Sequence, residues 1–130
     1  MMKMTGEISK LARYVLLLYF IATVIFGVWF FLSPESWNSL TGWPEEIAAG
    51  RMVGAAFTAL AIGSFLAYRA KSWEQIQIFV MLIIIWALLA VVGMLWNIAT
   101  QTLPVAAWLM SGLAAVFLIL FLYIYYQAKK

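Results

Sequence analysis

Two long apolar segments occupy the first half of the chain. The first covers residues 14–33 and reads YVLLLYFIATVIFGVWFFLS, with no charged residue. The second covers residues 47–68 and reads IAAGRMVGAAFTALAIGSFLAY, with Arg51 as its one charge. Each segment has about the 20 apolar residues that a helix needs to cross a bilayer. We therefore predict a first membrane helix at about 11–33 and a second at about 45–69.

The second half of the chain carries no charge from Gln75 to Ala128. This stretch is too long for one span of about 20 residues. The polar stretch NIATQTLP divides it, and Pro104 suits the first turn of a new helix. We predict a third helix at about 74–98 and a fourth at about 104–127.

The apolar segments predict the fold class as well as the helix count. Backbone groups need partners inside lipid, so a span is a helix or a strand of a closed barrel. Barrel strands alternate apolar and polar residues, whereas these segments are continuously apolar. Short connections place sequence neighbours side by side. The expected fold is all-α: one domain, residues 1–130, forming an antiparallel bundle of four transmembrane helices.

The longest connection, SPESWNSLTGWPEE, joins the first two helices. Pro34 fits the first position of a helix, and Glu35 suits its positive end. We expect a short amphipathic helix at about 34–40, lying in the membrane interface. Trp37 and Trp43 are typical of the aromatic belt at headgroup depth.

The basic residues predict the orientation of the bundle. Cytoplasmic loops of membrane proteins carry an excess of Lys and Arg. Seven of the eight basic residues fall on one side if both termini share it; these are Lys3, Lys10, Arg13, Arg69, Lys71, Lys129 and Lys130. The protein is therefore expected in the inner or plasma membrane, multi-pass, with both termini cytoplasmic.

Composition narrows the classes of function. Residues are 67% hydrophobic and 10% charged, against about 45–50% and about 25% in soluble domains. The chain has no Cys and no His, so thiolate metal sites and the usual general base are missing. We expect no catalytic residues, no metal and no cofactor, and hence no enzyme. The thinly spread basic residues also argue against nucleic acid as a partner.

Small residues follow one another along the second helix at helical spacing. Gly50 and Gly54 form a G-x-x-x-G, and Ala55, Ala59 and Gly63 continue on a neighbouring face. Small side chains let another helix approach closely inside lipid. Two interpretations stay open: packing within this bundle, or an interface with a second copy or a partner membrane subunit.

Arg51 is the exception to the charge pattern. An ionisable residue within a span is by default a candidate site, although one turn into the helix its side chain reaches the interface. Glu35 is the preferred acidic partner, Glu46 is closer in sequence, and Asn97 is a neutral candidate. With Trp43 these residues form the predicted outward-facing site. It is either a structural tie or a contact for an anion, headgroup or small solute.

Aromatic side chains within the spans suggest a second possibility. Tyr19, Trp86, Trp96 and Trp108 either line a hydrophobic cavity or simply pack and face lipid. Since no acidic residue lies at mid-depth in any span, a carboxylate proton relay of the kind found in pumps is excluded.

The chain resembles small four-helix prokaryotic membrane proteins, largely uncharacterised and loosely DoxX-like. The resemblance rests on FLSPESW at the end of the first helix and on GRMVGAAFTALAIGSFLAYRAKSW in the second. It implies a four-helix fold without an established activity. Through its link to respiratory or sulfur-oxidation complexes, it also implies an accessory subunit.

The preferred functional hypothesis is an interaction or accessory protein of the lipid bilayer. It would form a homo-oligomer or join a larger membrane complex through the small-residue face of the second helix. The alternative is a transport or binding protein for a small solute or lipid, with its site around Arg51.

Overall fold

A computed structural model of the protein describes residues 8–42, 47–100 and 102–129. In these ranges the secondary structure consists of five helices: α1 (Lys10–Leu32), α2 (Pro34–Thr41), α3 (Ile47–Tyr68), α4 (Trp73–Thr100) and α5 (Ala106–Lys129). Four of them, α1, α3, α4 and α5, are long and apolar enough to cross a membrane. This confirms the predicted all-helical chain with four candidate spans.

The first helix has a defined start and a defined end. Ser9 caps it, since its side-chain oxygen accepts a hydrogen bond of 3.1 Å from the N–H of Ala12. At the other end, the N–H of Ser33 bonds to the carbonyl of Trp29. Ser33 then leaves the helical region with a φ of −150°, as expected for a residue that precedes a proline. The chain bends here, and α2 begins at Pro34.

The short helix α2 follows the same local rules. Pro34 and Glu35 occupy its first turn, where the fixed φ of proline and a negative charge are both favourable. Gly42 ends it in the left-handed conformation, with a φ of 77° and its N–H bonded to the carbonyl of Asn38. Glycine has no Cβ to oppose that conformation. These bounds extend by one residue the short helix that the sequence predicts.

The most extensive helix contact joins α1 and α3. Near the start of α1, the carbonyl of Leu16 accepts a hydrogen bond of 2.6 Å from Ser64, close to the end of α3. Further along α1, Gly27 lies against Gly54 and Thr58, in the first half of α3. The contacts therefore run in opposite order along the two helices, and α2 connects their adjacent ends.

A second pair, α4 and α5, packs against the first. At the end of the bundle where α1 begins and α5 ends, a continuous core fills the space between the pairs. Its largest fully buried side chains are Trp73, Phe121, Leu16, Ile76, Ile83, Ile124 and Val80. Contacts between α3 and α4 are few. The other end of the bundle is packed differently and holds the candidate site.

Candidate functional site

A cavity of about 370 Å³ lies at the end of the bundle that holds α2 and the connection between α4 and α5. All five helices contribute to its wall. The lining side chains are Tyr19, Ala22, Thr23, Phe26, Phe30, Pro34, Trp37, Asn38, Ala49, Gly50, Val53, Phe57, Trp86, Ala87, Ala90, Met94, Met110, Leu113, Ala114 and Phe117. The volume lies within the range of about 300–1,000 Å³ typical of small-molecule sites.

Aromatic rings form much of the upper wall, towards α2. Trp37 makes edge-to-face contacts with Phe26, Trp29 and Phe30, at centroid distances of 5.8, 5.3 and 5.0 Å. Such contacts add to the stabilisation from burial alone. Trp37 is only 8% exposed, so its ring packs inside the protein, and its predicted place at headgroup depth stays a prediction. Through this ring, α2 is held over the cavity.

Tyr19 forms the floor of the cavity. Its ring contacts those of Phe117 and Phe121 edge-on, at 5.0 and 5.3 Å. Phe117 also lines the cavity, while Phe121 belongs to the core below. Tyr19 is 3% exposed, and its hydroxyl has no hydrogen-bond partner among the described residues. The hydroxyl oxygen is enclosed by protein atoms and has almost no surface open to the cavity.

The described cavity wall carries no charge. Its polar side-chain groups are the hydroxyls of Tyr19 and Thr23, the amide of Asn38 and the indole N–H groups of Trp37 and Trp86. The hydroxyl of Thr23 is already used, because it donates to the carbonyl of Tyr19 at 2.6 Å. The chemistry of the site is thus that of an apolar and aromatic pocket with little hydrogen-bonding capacity.

Arg51 lies beside the cavity but does not line it. Its Nη1 donates a hydrogen bond of 2.9 Å to the carbonyl of Phe31, in the last turn of α1. Its Nη2 is 4.0 Å from Oε2 of Glu35 in α2. Late carbonyls of a helix lack partners within that helix, and a cation near them also suits the helix dipole. Arg51 thus ties the start of α3 to α1 and α2.

Arg13 makes the matching contact at the opposite end of the same helix pair. It lies in the first turns of α1, and its guanidinium donates to the carbonyls of Tyr68 and Ala70, at 2.5 and 3.2 Å. Each of the two helices therefore carries an arginine near its start that satisfies carbonyls at the end of the other. This relationship supports the structural tie that the sequence offered as one interpretation of Arg51, and it adds a backbone partner that the charge pattern did not indicate.

The remaining residues of the predicted outward site are not gathered around Arg51. Asn97 is exposed on α4 and is neither part of the cavity wall nor a described partner of Arg51. Trp43 and Glu46 lie outside the described residues. Of the predicted set, the structure brings together Arg51 and Glu35.

The small residues of α3 divide into two groups. Gly54 is buried against α1, and a Cβ built there would collide with the backbone of Phe31 and lie 2.8 Å from the carbonyl oxygen of Gly27. Gly50 approaches the ring of Pro34, and Gly63 approaches the ring of Phe79. These three glycines serve packing within the chain.

Ala55 and Ala59 point elsewhere. Both are exposed, and with Thr58 and Ile62 they line a shallow groove shared with α1. The α1 side of this groove consists of Val28, Phe31 and Leu32. It is the one part of the predicted small-residue face that remains open in the described structure.

Two of the four aromatic residues singled out from the sequence line the cavity, namely Tyr19 and Trp86. Trp96 and Trp108 are 69% and 59% exposed instead. The contribution of Phe26 and Phe30 was missed. A signal for it exists, because Tyr19, Phe26 and Phe30 recur near helical spacing and so share one face of α1.

No family model, curated protein or solved structure matches the chain. The resemblance to DoxX-like proteins therefore stays a prediction, and the cavity is interpreted from its own residues.

Proposed function

We propose that the protein binds a small, neutral, largely apolar molecule in the cavity between its two helix pairs. The observation that supports this most directly is the cavity itself: about 370 Å³, lined by aromatic and aliphatic side chains from five helices, without a charged residue in the described wall. Pockets of this size and character are the usual sites of small-molecule binding.

The proposal includes an orientation in the membrane. The bundle is antiparallel, with both termini in the cytoplasm, because seven of the eight basic residues then fall on that side. The cavity end, with α2 in the interface, faces outwards. A molecule dissolved in the outer leaflet or arriving from outside would reach the cavity without crossing the densely packed end of the bundle.

Binding does not depend on Arg51 in this proposal. Its guanidinium is engaged by the carbonyl of Phe31 and is close to Glu35. A lipid headgroup or free anion is therefore a poor candidate for the main ligand contact. The binding hypothesis from the sequence is kept, and its site moves from Arg51 to the neighbouring cavity.

Photolabelling in a bilayer tests the proposal. The protein is reconstituted in lipid nanodiscs and irradiated with 3-trifluoromethyl-3-phenyldiazirine, and labelled residues are mapped by mass spectrometry. We expect saturable labelling of the cavity residues Met94 and Met110, suppressed by excess 2-methylnaphthalene. Labelling of the exposed Leu89 and Trp108, which lie outside the cavity wall, should rise linearly with the concentration of the diazirine. Linear labelling at all four positions contradicts the proposal.

A matched pair of variants provides the control. Ala90 lines the cavity, whereas Ala56 is exposed on α3 outside it. Ala90→Phe should fill the cavity and abolish saturable labelling, while Ala56→Phe should leave it intact. Ala114→Phe, on the opposite wall, gives a second filled cavity if the first variant does not fold.

A second candidate function is association through the open groove on α1 and α3. It is supported by the exposure of Ala55 and Ala59 beside Ile62, because small residues permit close helix contact in lipid. The occupant would be a second copy of the chain or a helix of a partner subunit. Since the groove and the cavity are lined by different residues, one protein could use both.

A further inference from the structure

We propose that the bound molecule enters the cavity sideways from the bilayer, through an opening between α3 and α4. This lateral portal is bounded by Ala49 and Val53 on α3 and by Ala90 and Met94 on α4. The inference rests on the proposed function, since it concerns the ligand of the same site. It identifies the ligand class as an amphiphile of the bilayer, whose hydrocarbon chain occupies the cavity while its polar group stays at the interface.

The first observation is the exposure of the residues that line the cavity. In the described structure only two of the lining residues are exposed, namely Ala49 and Val53, and Val53 is exposed by 42%. The other lining residues are buried or half-buried. Ala49 and Val53 lie one turn apart on α3 and so share one face of that helix. The cavity therefore opens to the outside of the bundle along this face.

The contacts between α3 and α4 show where this face points. A Cβ built at Gly63 would meet the ring of Phe79, and Phe57 contacts Trp86 edge-on at 5.3 Å. Going back along α3 from Gly63 to Phe57 thus corresponds to going forward along α4 from Phe79 to Trp86. Ala49 precedes Gly63 by close to four helical turns, so both lie on the side of α3 that faces α4.

The same correspondence locates the portal. One turn beyond the contact of Phe57 with α4, Val53 comes opposite Ala90, and one turn further Ala49 comes opposite Met94. All four of these residues line the cavity. Phe57 is only 9% exposed, whereas Val53 is 42% exposed. The contact between α3 and α4 is therefore closed at Phe57 and open from Val53 onwards.

The portal faces the hydrocarbon region of a membrane. The candidate membrane span of α3 begins at Ala49, and that of α4 continues to Thr100, so the portal residues belong to spanning segments. Because Ala49 is the first residue of its span, the portal starts at the interface and extends about 6 Å inwards to Val53. A lipid beside the bundle therefore meets the portal with its hydrocarbon chains.

Two other approaches to the cavity are covered by packed side chains. The helix α2 lies over its end with Pro34 and Trp37, which are both buried. On the side of α5, Ala106 and Met110 pack against the ring cluster that includes Phe30 and Trp37. A molecule arriving from water along either approach would have to displace these contacts, whereas the lateral portal is open.

The portal and the cavity wall together define the ligand. No charged residue lines the described cavity, and a charged group inside it would lack a counter-charge, which is strongly unfavourable in an apolar site. At the portal, by contrast, the interface is within about one helical turn. A polar or charged group can remain there among the lipid headgroups while the chain attached to it fills the cavity.

The test uses a probe that stays in the membrane. A phosphatidylcholine with a diazirine near the end of one acyl chain is incorporated with the protein into nanodiscs, and labelled residues are mapped by mass spectrometry after irradiation. Cavity labelling is the part that excess 2-methylnaphthalene suppresses, with the exposed Leu89 as internal reference. We expect cavity labelling of Met94 and Met110 in the wild type, because the tethered chain reaches both through the portal.

Two neighbouring positions on α3 provide the variants. Val53→Trp narrows the portal and should remove cavity labelling by the tethered probe. Met52→Trp is the matched control and should retain it, since Met52 is 75% exposed and lies outside the cavity wall. Ala49→Trp narrows the portal in a second way if Val53→Trp does not fold. Equal cavity labelling in the portal variant and the control would show that the chain enters elsewhere and would overturn the portal.

The free diazirine separates this inference from the proposed function. Saturable labelling of Met94 and Met110 by 3-trifluoromethyl-3-phenyldiazirine, with no cavity labelling by the tethered probe, overturns entry of a lipid chain and leaves the proposed function intact. The absence of saturable labelling with both probes overturns the proposed function itself.

Discussion

Arg51 donates a hydrogen bond of 2.9 Å to the carbonyl of Phe31 and so joins the start of α3 to the end of α1. Arg13 makes the equivalent contact to the carbonyl of Tyr68 at the other end of the same pair. An arginine that looked like an isolated charge in a membrane helix is therefore one half of a reciprocal arrangement. The Arg51 guanidinium satisfies the carbonyl of Phe31, which has no partner within α1.

Arg51→Ala should lower the free energy of unfolding by about 1 kcal/mol, because a charge-assisted hydrogen bond is lost at a half-exposed site. Glu35→Gln should cost less than about 0.5 kcal/mol, since the ion pair is 4.0 Å long and both side chains are about half exposed. Unfolding by SDS titration in mixed micelles measures both. A larger effect of Glu35→Gln than of Arg51→Ala would show that the ion pair dominates instead of the hydrogen bond.

Gly54→Ala should destabilise the protein by more than about 2 kcal/mol, since the added Cβ meets backbone of α1 and the two helices must separate. Gly93→Ala on α4 is the matched control, because nothing described lies within 4 Å of a Cβ built there. That change should be neutral or stabilising by up to about 1 kcal/mol. Equal effects of the two substitutions on the unfolding free energy would contradict close packing at Gly54.

Two buried serines should respond in opposite ways. Ser64 donates to the carbonyl of Leu16 across the helix contact, so Ser64→Ala should cost about 0.6 kcal/mol, the average for hydrogen bonds between membrane helices, and no more than about 1.7 kcal/mol. Ser111 is similarly buried, but its hydroxyl has no partner in the described protein. Ser111→Ala should therefore leave the unfolding free energy unchanged or raise it. The same SDS titration compares them, and a loss at Ser111 as large as at Ser64 would refute this distinction.

Association through the open groove predicts that Ala59→Leu weakens self-association in bilayers, because the larger side chain blocks close approach. Ala56→Leu, exposed outside the groove, should leave association unchanged. Single-molecule subunit counting in liposomes gives the oligomeric state of each variant. A wild type that is monomeric at all protein densities would exclude a homo-oligomer.

The helices were predictable because the signals for them are local. Continuous apolar runs require a helical backbone in lipid, and Pro34 and Gly42 mark both ends of α2 in the sequence as in the structure. The packing of Trp37 was not predictable in the same way. The sequence suggests a tryptophan at headgroup depth, which stays a prediction, but its contacts depend on Phe26 and Phe30 of another helix.

The candidate site was only partly predictable, because it depends on contacts between residues of different helices. The charge pattern placed Glu35 beside Arg51, yet the partner at the shortest distance is a backbone carbonyl, which no residue type reveals. Tyr19 and Trp86 were recognised as possible cavity residues, but the cavity exists because two helix pairs are close-packed at one end only. That arrangement depends on contacts between residues far apart in the chain, such as Tyr19 with Phe117.

Crystals of the protein grown in lipidic mesophase and soaked with 2-bromonaphthalene test cavity binding most directly, because bromine is located by its anomalous scattering. We predict a bromine peak inside the cavity, between Trp86 and Met110, that disappears in Ala90→Phe and persists in Ala56→Phe. Bromine peaks confined to the lipid-facing surface of the helices, with the cavity of the wild type unoccupied, would contradict the proposal that this protein is an intramembrane binder of small apolar molecules.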